Sequence, residues 1–119
     1  MPIPAGAIAW AQPFDPSDRT DYLVQFGALL TAGEVIDTAS VTLLPEAVAL
    51  GLTIIEDVAH GPSIADDTAI ELWFEVEESF RENAAFVGGV DLPVEFTITT
   101  NATPMRRFQR TMVLRVAHL

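Results

Sequence analysis

A chain of 119 residues with 17 acidic and six basic side chains carries a formal charge of −11, has no cysteine, and holds no apolar run near the ~20 residues that a membrane-spanning helix needs. This excludes disulfides, thiolate nucleophiles and cysteine-based zinc sites, and it sets an acidic body against phosphate backbones, so neither nucleic acid nor membrane is an expected partner. The length suits one domain with its own core, and Met1–Trp10, which lacks a basic stretch and is broken by Pro2, Pro4 and Gly6, does not read as a signal peptide.

Residues 1–14 read as an extended N-terminal arm, because Pro2, Pro4 and Pro13 hinder regular structure. Arms of this kind are often mobile until a partner orders them, and Trp10 in this one is a candidate interface residue. Residues 15–119 are expected to form a single β-domain. Its opening, Asp15-Pro16-Ser17-Asp18, is turn chemistry in which Asp15 or Ser17 suits the cap of a helical turn. Tyr22–Leu30 carries two periods at once. Tyr22, Phe26, Leu29 and Leu30 fit a helix, whereas Tyr22, Val24 and Phe26 fit a strand, and the sequence leaves both open.

After Gly33, the β-branched run Glu34–Leu44 reads as a strand whose inward phase is unclear. Pro45 ends it, Glu46–Leu50 suits a short helical turn, and Leu52–Asp57 reads as a short strand. Ala59–Ser63 is a loop and Asp66-Asp67 a turn. Three strands then declare themselves by alternation. Ile70, Leu72, Phe74 and Val76 alternate with Glu71, Trp73, Glu75 and Glu77; Val94, Phe96 and Ile98 alternate with Glu95, Thr97 and Thr99. Phe108, Met112, Leu114 and Val116 alternate with Gln109, Thr111 and Arg115. Successive strand side chains point to opposite faces, so each run is buried on one side and wet on the other. Between the first two, Ser79–Ala85 and Gly88-Gly89 read as a loop insertion, and Asn101-Ala102-Thr103-Pro104 joins the last two in a hairpin. Six or seven short strands at this spacing imply an all-β fold, an immunoglobulin-like antiparallel β-sandwich with an extended N-terminal arm.

Catalytic chemistry is hard to assemble from these residues. His60 sits in a Gly-Pro loop and His118 beside the last residue, both as expected of surface histidines, and no nucleophile motif, P-loop, dinucleotide fingerprint or zinc motif is present. Asp15, Asp18 and Asp21 lack the spacing of a calcium loop, and Glu75, Glu77 and Glu78 read as solvated or arginine-paired acids. No catalytic, cofactor or metal residue is expected, and the chain does not read as an enzyme. Trp73, on the wet face of its strand, is either an interface anchor or covered by a loop or the arm; Phe80 and Phe86 are either docking knobs or a lid on the core.

Charge is segregated along the chain. Residues 1–105 set Arg19 and Arg81 against all 17 acids, a formal −15, while residues 106–119 carry Arg106, Arg107, Arg110 and Arg115 without an acid, a formal +4. The basic end is suited either to an acidic partner surface or to a neighbouring Glu-bearing strand.

Asp15-Pro16-x-Asp18, Asp21-Tyr22 and Phe26-x-x-x-Leu30-x-x-Gly33-Glu34-x-Ile36 together resemble the opening of small phage tail-fibre adaptor and related virion proteins, which runs D-Y-x-x-D-W-x-x-x-L-x-x-G-D-x-I. The close is similar too, with Ile98-Thr99-Thr100, a short linker, Arg106-Arg107, and Arg110 to Val116. The chain departs from the pattern at Gln25 and Phe26 and in the 78–89 loop. The resemblance implies a bacteriophage virion structural protein, an adaptor attaching fibres or tail components by protein–protein docking, assembled in the host cytoplasm. Its partners would be other virion proteins and copies of itself, met through Trp10, Trp73, Phe80, Phe86, Arg106, Arg107 and Arg110. Within the same class stands a capsid cement protein, and from another class a carbohydrate-binding β-sandwich module.

Overall fold

Alternating apolar residues pair off as the sequence demands. The computed structural model describes residue 3 and residues 7–119. Its strands are β1 (Ile8–Ala9), β2 (Arg19–Gln25), β3 (Ile36–Leu43), β4 (Leu52–Ile54), β5 (Ser63–Ala65), β6 (Ala69–Val76), β7 (Val90–Thr100) and β8 (Arg107–Val116), with one helix, α1 (Pro45–Ala49), between β3 and β4. Four strands make a sheet in the order β1-β8-β7-β3, and the second sheet is β2-β6-β4, with β5 also paired to β6. All pairings are antiparallel except β1 on β8.

The inward residues of β6 and β7 close the space between the sheets. Ile70, Leu72, Phe74, Val76, Val94, Phe96 and Ile98 have no exposed surface, and Leu114 and Val116 of β8 join them. Aromatic rings meet at tilted or edge-on angles across the core, with Phe26 lying 6.2 Å from Phe96. Removing this much apolar surface from water is the dominant stabilising term.

Tyr22–Leu30 resolves into a strand followed by a 3-10 turn at Gly27–Leu29, so Tyr22, Val24 and Phe26 all point inward. The phase of β3 is hidden in the sequence by a bulge. Ile36 pairs with Thr100 and Thr38 with Thr99, so Asp37 is the extra residue, and the inward set switches from Ile36 to Ala39, Val41 and Leu43. Asp66 and Asp67 both have positive φ, 51° and 63°, as a tight β5–β6 turn requires. The Asp15–Asp18 segment forms no helix; Asp15 Oδ1 instead accepts the Ser17 N–H at 2.8 Å.

The expected arm is held along much of its length. Residues 1, 2 and 4–6 lie outside the described residues. From Ile8 onward the chain runs parallel to β8, with Ile8 opposite Met112 and Ala9 opposite Val113. The Phe14 N–H donates to Arg115 O at 2.8 Å, and the Ala117 N–H donates to Phe14 O at 3.0 Å. Phe14 is fully buried, so the expected boundary at residue 14 passes through the core. The aromatic side chains of Trp10 and Phe14 add to this backbone attachment by packing against the core.

Candidate docking surfaces

Several residues with interface chemistry turn inward. Trp10 lies 5.2 Å from Tyr22, 5.7 Å from Phe74 and 6.0 Å from Phe96, and its indole N–H donates to Leu23 O at 3.0 Å. Phe86 is fully buried, with the His118 N–H donating to its carbonyl at 3.0 Å. Of its two sequence readings it takes the lid. Phe80 is half-buried over Gly51, whose φ of 85° and missing side chain make room: a Cβ there would meet the Phe80 ring carbon at 2.5 Å. Arg81 anchors this segment through Val76 O at 2.9 Å and Glu75 at 3.2 Å, so the 78–89 insertion folds back onto the sandwich.

Trp73 stays half-buried on the outer side of β6, its ring edge-on to His60 at 4.9 Å. The His60 loop is closed by Asp57, whose Oδ1 accepts the His60 backbone N–H at 2.7 Å and lies 2.9 Å from its Nδ1. Desolvation pushes the Asp57 carboxyl up, but the His60 hydrogen bonds outweigh it and hold the group below its ordinary range.

The four C-terminal arginines divide into two kinds. Arg115 meets Asp91, its opposite number on β7, at 3.2 Å. Arg106 donates to Leu29 O at 2.7 Å, approaches Glu34 Oε1 at 3.4 Å, and lies over the Phe108 ring at 4.7 Å. Both are committed within the chain. Arg107 and Arg110 are exposed and make no ion pair among the described residues.

Glu34 is the residue whose role the sequence does not disclose. An acid after a turn glycine reads as solvated, yet its side chain is 2% exposed. Its carboxylate accepts the Thr100 hydroxyl, the Thr31 N–H at 2.9 Å and the Thr31 hydroxyl at 3.3 Å. These donors, the Thr100 hydroxyl above all, together with the Arg106 charge, hold it below the ordinary glutamate value despite desolvation. Beside it, Val35 N–H donates to Asn101 Oδ1 at 2.9 Å and Asn101 N–H to Val35 O at 3.2 Å. Two sequence segments more than 60 residues apart, Gly33-Glu34-x-Ile36 and Thr100-Asn101 through Arg106, thus form one polar clamp at the β7–β8 hairpin, buried at Glu34 and Thr100. A spatial pairing of two motifs is a signal that spacing along one chain cannot carry.

The outer face of the β3–β7–β8 sheet is laid out in cross-strand rows. Thr38, Thr99 and Arg107 form one; Ser40, Thr97 and Gln109 the next; Thr42, Glu95 and Thr111 a third. This face is hydroxyl-rich, with Arg107 at the hairpin end.

A family model described as the podophage GP4 fiber-tail adaptor protein gp77 matches residues 15–115. The chain belongs to this adaptor family. The match spans both halves of the Glu34 clamp and nearly the whole sandwich. No curated protein matches the chain.

Proposed function

We propose that this chain is a non-enzymatic structural adaptor of a bacteriophage virion, joining tail and fibre components by protein–protein docking. The observation that carries this reading is the family match over residues 15–115. The sandwich is read as immunoglobulin-like, a scaffold that holds docking residues on rigid strands. Its partners are other virion proteins and copies of itself, and it is assembled in the host cytoplasm before entering the particle.

Docking is assigned to the β7–β8 hairpin and the outer faces of the sheets. Arg107 and Arg110 are exposed cations on a −11 chain with no internal ion-pair partner among the described residues, so an acidic surface on a tail or fibre protein suits them. Trp73 supplies an amphipathic anchor on the other sheet. Arg106, by contrast, acts from within by fixing the hairpin.

The test is light scattering of the purified chain alone and with purified tail and capsid components, across a salt series. Co-migration with the tail assembly is the expected result. Arg107→Glu combined with Arg110→Glu should weaken that binding, and raising the salt from low to physiological should do the same to the native chain. Co-migration with the capsid shell, or a monomer that ignores both, overturns the adaptor assignment.

A further inference from the structure

Strand β3 ends its sheet, and no other described strand pairs with its outer edge. Natural proteins protect such edges with charge, proline, bulges or brevity, because a free row of backbone donors and acceptors recruits another strand. Here the protection is missing over most of the length. The strand runs eight residues, its bulge lies only at the Ile36–Thr38 end, and Thr38–Leu43 contains neither a charge nor a proline. On a chain of net charge −11, most surfaces repel a second copy at close range. The β3 edge is a place where that repulsion is absent.

The residue order along the edge names the occupant. Thr38-Ala39-Ser40-Val41-Thr42 alternates hydroxyl and aliphatic side chains and has the same chemistry in either direction. Hydroxyl residues lie on the outer face, in rows with Thr99, Thr97 and Glu95. Ala39 and Val41 lie on the core side, opposite Ile98 and Phe96. That side is incompletely covered: Ala39 is exposed, Val41 half-exposed, and Ile64 of β5, which packs across from β3, is 39% exposed.

We propose that β3 pairs antiparallel with β3 of a second copy of this chain about a two-fold axis at Ser40. Thr38 then faces Thr42 of the other copy, Ala39 faces Val41, and Ser40 faces itself. Two four-stranded sheets become one of eight strands, and the partly covered aliphatic margin is shielded on both copies. Asp37 falls opposite Leu43, so no acid meets an acid along the paired edges. The contact is isologous, which closes the pair without leaving a free β3 edge to propagate. This inference sharpens the self-association part of the adaptor reading, yet it is tested without any virion component, so failure of one leaves the other standing.

The experiment is sedimentation equilibrium of the full chain over a wide concentration range, with Ser40→Lys and Ser40→Glu measured singly and mixed. Ser40 is exposed, and circular dichroism of each variant verifies that the monomer stays folded. The native chain should show a monomer–dimer equilibrium. Each variant alone should dimerise several-fold more weakly, since like charges would stand directly opposite, and the equimolar mixture should recover dimers through a Lys–Glu pair. A native chain that stays monomeric throughout overturns the proposal, as does a dimer indifferent to either substitution. Weakening without recovery on mixing also overturns it, because the two copies would then not place Ser40 opposite Ser40.

Discussion

Glu34 shows how one side chain ties distant parts of this fold together. Its carboxylate is surrounded by donors from Thr31, Thr100 and Arg106, so a neutral amide cannot satisfy all of them. The folded-state pKa is depressed below the ordinary glutamate value of 4.5, so its contribution to stability is fully present above that value and is lost as pH falls through the lowered one. Glu34→Gln should therefore lower the melting temperature most at pH 7, and the gap to the native chain should narrow toward pH 3. Thermal melts across that range test it; a gap of constant size would mean that the ionised carboxylate is not what matters. Tyr22 behaves in the opposite sense: burial, with the charge of Asp18 adding to it, pushes its phenol up to about 12. The phenol stays protonated and donates to Gln12 O at 3.0 Å.

At the level of elements, the attachment of residues 8–14 to β8 depends on Trp10. Its ring fills space between Tyr22, Phe74 and Phe96, so Trp10→Ala should cost about 3 kcal/mol of unfolding free energy, near the lower end for large aromatic truncations. Chemical denaturation measures this, and a loss below about 1 kcal/mol would show the segment to be loosely held. β6, β7 and most of β8 were legible because one face is dry and the other wet, which writes a period of two into Ile70–Val76, Val94–Ile98 and Met112–Val116. β3 was legible as a strand but not in phase, because its bulge interrupts the alternation. Ser63–Ala65 is too short to show any period, and Ile8–Ala9 sits in a proline-rich stretch where only tertiary packing selects a strand. For the interface candidates, residue type in the sequence does not tell direction. Phe86 is fully buried, Trp10 packs against Tyr22, Phe74 and Phe96, and Arg106 meets Glu34.

For the whole molecule, the described ends lie side by side. Trp10 N–H donates to Val113 O, Phe14 N–H to Arg115 O, Ala117 N–H to Phe14 O, and Leu119 N–H to Asp15 Oδ2. The last of these, with the Ser17 N–H, holds the Asp15 carboxyl below its usual range. Because β1 and β8 run parallel, a pull that separates the N-terminal side of one from the C-terminal side of the other acts along the strands. The hydrogen bonds joining them are then loaded together, like rungs in shear, rather than opened one after another like a zipper. Stretching single molecules between the two described ends should give a high rupture force, whereas pulling between residues 89 and 119, which opens β7 from β8 at the end where Val90 sits opposite Val116, should give a much lower one. Equal forces in the two directions would contradict the shear geometry. For a chain of the fiber-tail adaptor family, a seam loaded in shear is the kind that holds under tension along its strands.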